Sequence, residues 1–280
     1  MEVFSKHLNI FSIHGSHLVR RLEDNDVVKR AIDRIMEFIR REVEESGVSG
    51  VVIGLSGGVD SSLTAALCVR ALGKDRVLGL IMPTSFMPKE DLEDAINLAR
   101  VLGIKTEIIN IDGICNAFVD ALQIDPNNPA YRMPMANLRA RIRMAILYFY
   151  ANLYNYLVVG TSDRSEYLIG YFTKYGDGAA DIFSIRHLYK TQVRELASYL
   201  GLPERIVKKP SSPQLYPGHK LSDELPVDYS TIDPILIGLF DEGLAAEGVS
   251  KNLGVPMEVV NEVLRRHMMT EHKRRSPLNP

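Results

Sequence analysis

The sequence predicts an α/β protein in which a parallel sheet of about five strands lies between two layers of helices. Three observations carry that expectation. Short β-rich apolar runs alternate with longer segments of helical periodicity, glycines stand where the helices should stop, and a glycine-rich turn follows the first strand directly. Repeated β-α-β units build a three-layer α/β/α, doubly wound, Rossmann-like sheet, whose ligands bind at the carboxyl ends of the strands.

Taken in order, residues 1–25 are mixed and weakly periodic and read as a leader, ahead of one domain over 26–280. Ala31, Ile32, Ile35, Phe38 and Ile39 recur at three and four residues, which predicts a helix over Val27–Val43 with Gly47 as its stop. Val51–Leu55 reads as the first strand, followed by a helix from Ser61 to Leu72 that ends at Gly73. Val77–Met82 is a second strand, Lys89–Leu102 a helix closed by Gly103, Lys105–Ile109 a third strand, and Gly113–Gln123 another helix. Asp125-Pro-Asn-Asn-Pro129 interrupts the pattern. A long helix over Met135–Asn155 follows, with Leu138, Ile142, Ala145, Ile146, Phe149 and Leu153 in one apolar stripe. Tyr156–Val159 is a fourth strand, Asp181–Ile185 a fifth, and Lys190–Leu200 a helix ending before Gly201. Five prolines mark residues 210–234 as a long loop, a length that is usually functional or disordered. Short helices around Ser230–Glu242 and Pro256–Met269 lead to a polar tail.

Composition excludes several classes. No run approaches the ~18 consecutive apolar residues of a membrane span, and no cationic-then-apolar secretion signal opens the chain, so a cytosolic protein is expected. Cys68 and Cys115 make neither a disulfide framework nor a zinc site, and they read as small buried hydrophobes. A net charge of −2 gives no general attraction to nucleic acid.

The strongest signal is the turn at 54–62, Gly-Leu-Ser-Gly-Gly-Val-Asp-Ser-Ser. Gly54, Gly57 and Gly58 lack a Cβ, so backbone amides can approach a phosphate closely. The helix that follows offers unpaired amides and a partial positive charge to an anion. Leu55 and Val59 belong to the same cradle, and Ser56, Ser61 and Ser62 add hydroxyls. Asp60 beside phosphates requires a cation between them, and magnesium commonly joins carboxylate to phosphate. No Gly-Lys-Ser/Thr follows and no Gly-x-Gly-x-x-Gly is present, which excludes a Walker loop and a dinucleotide fingerprint.

This loop resembles the Ser-Gly-Gly-x-Asp-Ser loop of the N-type ATP pyrophosphatases, which have the adenine nucleotide alpha hydrolase-like fold. These enzymes adenylate an acceptor, release pyrophosphate, and let a nucleophile displace AMP. Val158-Val-Gly-Thr-Ser-Asp-Arg-Ser-Glu166, Gly170-Tyr-Phe-Thr-Lys-Tyr-Gly-Asp-Gly178 with Asp181, Asn137-Leu-Arg-Ala-Arg-Ile-Arg-Met144 and Thr270-Glu-His-Lys-Arg-Arg275 closely resemble the ammonia-dependent NAD synthetase family from about residue 27 onward. The resemblance implies amidation of deamido-NAD by ammonia with ATP and magnesium, in a homodimer whose dinucleotide site lies at the interface. It implies that Asp60 and Glu166 hold the metal, that Thr161, Lys190 and Ser212 contact ATP, and that Arg141, Lys174, Asp181, His272 and Lys273 contact deamido-NAD. Asp60 and Lys190 would be catalytic. Lys190 opens a helix, where a cation opposes the dipole unless an anion joins it.

Met82-Pro-Thr-Ser-Phe-Met-Pro-Lys89 departs from the Gln-Gln-Asp-like segment of many bacterial members, so ATP contacts there do not transfer. Segments 83–89 and 210–226 are candidate lids over the adenylate. A tRNA-thiolating relative would show a catalytic Cys pair and a basic surface, neither of which is evident. GMP synthetase would carry another acceptor block after the fourth strand, and a non-catalytic nucleotide sensor would have no reason to keep both Asp60 and Glu166.

Overall fold

A computed structural model describes residues 25–210, 216, 225 and 227–279. Helix α1 (Asn25–Glu45) leads to strand β1 (Gly50–Gly54), α2 (Val59–Leu72), β2 (Val77–Ile81), α3 (Lys89–Leu102), β3 (Lys105–Ile108), α4 (Asp112–Leu122) and α5 (Arg132–Tyr154). Strand β4 (Tyr156–Gly160), α6 (Arg164–Ile169), β5 (Ile182–Phe183), α7 (Lys190–Tyr199) and α8 (Glu204–Val207) follow. The carboxyl-terminal part comprises α9 (Tyr229–Leu236), a π-helical turn over Ile237–Asp241, α10 (Ala246–Leu253), α11 (Met257–Met269) and α12 (Glu271–Arg274). The strands pair in parallel in the order β3-β2-β1-β4-β5. That order reverses between β1 and β4, and the crevice at their carboxyl ends is where such sheets hold ligands.

Alternation along the strands divides the core. Val51 and Ile53 of β1 point into a cluster with α1, α2, α3 and α7, whereas Val52 points into one with α4 and α5. Both faces are covered, which explains why the strands read as continuous apolar runs. A third cluster, with Leu168, Tyr189, Ile232, Ile235, Val249 and Val260, is built by α6 and α9–α11.

Several expectations need correction. The fifth strand is only two residues long, and Asp181 just before it accepts the Val158 N–H of β4 through its carboxylate. Helices α6, α8, α10 and α12 fall where no helix was expected, whereas α9 begins at Tyr229, one residue before the helix expected around Ser230–Glu242. The α5 stripe is not all core: Phe149 and Leu153 are 64% and 58% exposed. The leader and most of the 210–226 lid candidate lie outside the described residues.

Candidate active site

The loop after β1 is shaped by its own hydroxyls. Ser61 Oγ and Ser62 Oγ donate to the Gly58 carbonyl at 3.1 and 2.7 Å, and Ser61 Oγ accepts the Ser56 N–H at 3.3 Å. Ser62 is fully buried, so its hydroxyl shapes the loop rather than reaching a ligand. Gly58 caps α2 and has no side chain to satisfy the first amides. Those amides therefore remain available to an anion. Asp60 is in the first turn of α2 but does not cap it.

A cavity of about 520 Å³ opens in front of this helix end, lined by Ser56, Gly58, Val59, Asp60, Ser61, Thr161, Glu166, Lys190 and Lys273, among others. A second cavity of about 230 Å³ adjoins it, lined by Gly54, Leu55, Ser56, Thr161 and the apolar Met82, Met144 and Leu147. Both lie at the β1/β4 crevice that the strand order predicts.

Lys190 is fully buried at the start of α7. Its Nζ donates to Asp60 Oδ2 at 2.7 Å and to Glu166 Oε1 at 2.8 Å, and it lies 2.9 Å from Asp163 Oδ2. The anions that offset its unfavourable helix position are therefore three carboxylates of the chain itself. Burial opposes the lysine's charge, but Asp163, Asp60 and Glu166 outweigh it and hold the ammonium protonated well above the usual lysine range. Burial pushes Asp163 up to about 7 despite the pull of Lys190. Burial, with Asp163 and Asp60 adding repulsion, likewise raises Glu166 against that pull. Three carboxylates around one ammonium leave the cluster short of positive charge.

Lys190 is held from behind. Ser165 Oγ accepts the Lys190 N–H at 3.0 Å and donates to the buried Asp233 at 2.5 Å, and Asp233 also accepts the Thr191 N–H at 2.8 Å. Helix α9 thereby orients the first turn of α7.

The remaining expected residues divide. Lys273 Nζ donates to the carbonyls of Gly170 and Phe172 at 2.8 and 2.7 Å, fixing α12 against the larger cavity. Gly170 permits that approach, since a Cβ there would collide with Thr270. Arg141, Lys174, Asp181 and His272 lie outside the linings of both cavities. Arg141 Nε donates to the Lys174 carbonyl at 3.3 Å, and Asp181 accepts from the Val158 N–H at 2.7 Å and from the Tyr148 hydroxyl at 3.2 Å. His272 is exposed on α12, and Ser212 lies outside the described residues.

Two residues escaped the sequence reading. Asp163 caps α6, accepting the Glu166 N–H at 2.8 Å. The spacing Asp163-x-x-Glu166 before an apolar pair is a helix-start signal that could have found it. Asp177 lines both cavities and accepts the Thr173 N–H at 2.8 Å, holding a turn in which Tyr175 adopts φ +61°. A glycine-flanked aspartate reads as an ordinary turn residue, which hid it.

Fold and site together define an α/β protein with a cavity and an uncapped helix start, suited to an anion, at the switch point of a parallel sheet. Comparison with known proteins narrows the class. Residues 31–277 match the family described as NAD synthase. The chain is 53% identical over 253 residues to a protein of Staphylothermus marinus named NH3-dependent NAD+ synthetase, covering 90% of each. Its identity to the Methanocaldococcus jannaschii protein of the same name is 46%, over 90% of this chain and 97% of that one. Among solved structures, an NMN synthetase from Francisella tularensis is similar at TM-score 0.79 and 34% identity, over 90% of this chain and 98% of that one. An NH3-dependent NAD synthetase from Campylobacter jejuni, in complex with the nitrate ion, is similar at TM-score 0.76 and 35% identity, over the same shares. This chain belongs to the NAD synthase family.

Proposed function

We propose that the chain joins ammonia to deamido-NAD at the expense of ATP, releasing AMP and pyrophosphate. The observation that carries this reading is Lys190: a buried ammonium held by Asp60, Asp163 and Glu166 beside the uncapped amides of α2. A carboxylate oxygen of deamido-NAD attacks the α-phosphorus, the bond to the bridging oxygen breaks, and pyrophosphate departs. Ammonia then attacks the acyl-adenylate carbonyl, AMP leaves with the bonding pair, and the new amide nitrogen sheds a proton. Lys190 and the loop amides hold charge that grows on the departing pyrophosphate.

Asp60 and Glu166 would hold a magnesium ion shared with the ATP phosphates. Asp60 Oδ1 is buried and lacks a hydrogen-bond partner among the described residues, as an oxygen reserved for a cation would. No group of three or more His, Cys, Asp or Glu fit to hold a metal occurs among the described residues. Magnesium needs only one or two carboxylates when phosphates supply the other oxygens. Bound there, the ion would neutralise phosphate charge.

In this reading ATP also meets Thr161 and Ser212, while Arg141, Lys174, Asp181, His272 and Lys273 hold deamido-NAD. A second copy of the chain would cover the exposed apolar face of α4 and α5, where Phe118, Leu122, Phe149 and Leu153 meet solvent. Residues 26–280 act as one domain of a cytosolic homodimer. No helix among the described residues is long and apolar enough to cross a membrane.

The test incubates the chain with ATP, magnesium and ammonium and offers deamido-NAD or nicotinate mononucleotide, following pyrophosphate and amide product. NAD formation with deamido-NAD strongly preferred supports the reading. Preference for the mononucleotide would transfer the assignment to an activity like that of the Francisella relative, and no pyrophosphate with either acceptor would refute both.

A further inference from the structure

A second lysine with carboxylate partners, this one only partly buried, meets the backbone of the phosphate loop. Lys209 Nζ donates to Asp91 Oδ1 and Asp94 Oδ2, both at 2.5 Å, and to the Gly57 carbonyl at 3.2 Å. Asp91 and Asp94 stand three residues apart on α3 and are almost wholly buried, at 6% and 3% side-chain exposure. Arg205 pairs with the other oxygen of Asp94. Two cations therefore meet two carboxylates, and the group is balanced.

An ammonium has three N–H donors, and these three acceptors use all of them. Lys209 lines the larger cavity beside Ser56, Gly58 and Asp91, yet it has no donor left for a phosphate. What it grips is the backbone. Across a trans peptide the C=O and the next N–H point in opposite directions. Holding the Gly57 carbonyl toward α3 thus turns the Gly58 N–H to the opposite side, toward Ser56 Oγ 3.3 Å away. Gly57 has φ +77°, and any Cβ there would collide with the Asp91 carbonyl, so the loop and α3 meet at backbone contact.

We propose that Lys209 is a positioning residue: through Asp91 and Asp94 it latches the phosphate loop to α3 and sets the loop amides for ATP without itself contacting the nucleotide. This rests on the proposed function for its role in catalysis, but its effect on nucleotide binding can be measured separately.

The discriminating variant is Asp91→Asn/Asp94→Asn, which keeps the volume of both side chains and leaves each one acceptor oxygen. It removes two negative charges beside a polyanion site, so simple electrostatics predicts tighter ATP, and a freed Lys209 would add to that gain. A latch predicts the reverse. The magnesium complex of a non-hydrolysable ATP analogue is titrated by calorimetry into the full chain and each variant, with deamido-NAD titrated in parallel. Expected are affinities for the analogue about fivefold weaker in Asp91→Asn/Asp94→Asn and about tenfold weaker in Lys209→Met, within what charge-assisted hydrogen bonds contribute, and deamido-NAD changed less than about twofold. Unchanged or tighter analogue binding in the double variant overturns the proposal, as does an equal loss for both ligands. Should Lys209→Met not fold, the double variant decides alone. A wild-type chain that binds the analogue but forms no NAD refutes the proposed function and leaves this comparison readable.

Discussion

Two lysines with carboxylate partners meet the phosphate loop and the helix it opens, Lys190 buried and Lys209 partly buried, and they are built on opposite principles. Lys190 meets three carboxylates and leaves negative charge in excess, whereas Lys209 and Arg205 meet two and leave none. The first cluster faces the cavity with an orphaned Asp60 oxygen, ready to exchange partners for a cation and phosphates. The second is satisfied and holds the backbone in place. A buried lysine with carboxylate partners is thus not a function in itself, and its charge balance and remaining donors tell the reactive one from the structural one.

The largest effect should come from the unbalanced side. Lys190→Met is expected to lower kcat for NAD formation by about 10³-fold, the scale of losing a group that stabilises developing charge. Lys190→Arg, which keeps the charge on a planar group that cannot replace the compact ammonium among Asp60, Asp163 and Glu166, should recover only part of it. The measurement is single-turnover pyrophosphate release on protein shown to be folded by circular dichroism. Release within tenfold of wild type in Lys190→Met would erase the contrast between the two lysines.

On the balanced side the sharpest break is Gly57→Ala. The change places a Cβ at φ +77° against the Asp91 carbonyl, which belongs to rigid helix backbone. Strain and collision together should cost about 3 kcal/mol of stability or force the loop away from α3. Denaturant midpoints read the first outcome and loss of ATP-analogue affinity the second. A variant with parent-like stability and affinity would show that loop and helix are not held in register.

The two lysines also differ in how well their surroundings could be read from the sequence. The loop at 54–62 was legible because glycine, serine and a helix start act locally, and all three lie in consecutive residues. The oddity of Lys190 at a helix start was legible too, but its partners were not, since Asp60 is 130 positions away and only folding brings the two together. Lys209 gave no signal at all: Asp91 and Asp94 share a face of α3, yet the lysine that joins them is 118 and 115 residues distant. Helix α6 escaped because six residues are too few to show a period. The stripe on α5 was read correctly as a period, but periodicity says only that a face is apolar and not which surface covers it, and Phe149 and Leu153 stand in solvent.

The smallest expected effect concerns the segment that delivers Lys190. His187 lies three residues before it, and burial, with Arg164 nearby, pushes the imidazole down to about 4. In the unfolded chain it titrates near 6.5. Above that pH both states are neutral and His187 contributes no pH dependence. As pH falls below 6.5 the unfolded chain takes up the proton first, so stability is lost at up to about 1.4 kcal/mol per pH unit until the folded imidazole also charges near pH 4. His187→Gln removes the titration, and urea midpoints measured at pH 7.5, 6.0 and 5.0 should then fall less steeply than those of the parent. A parent slope unchanged in His187→Gln would mean that the imidazole is charged in the folded chain and that the burial argument for it is wrong.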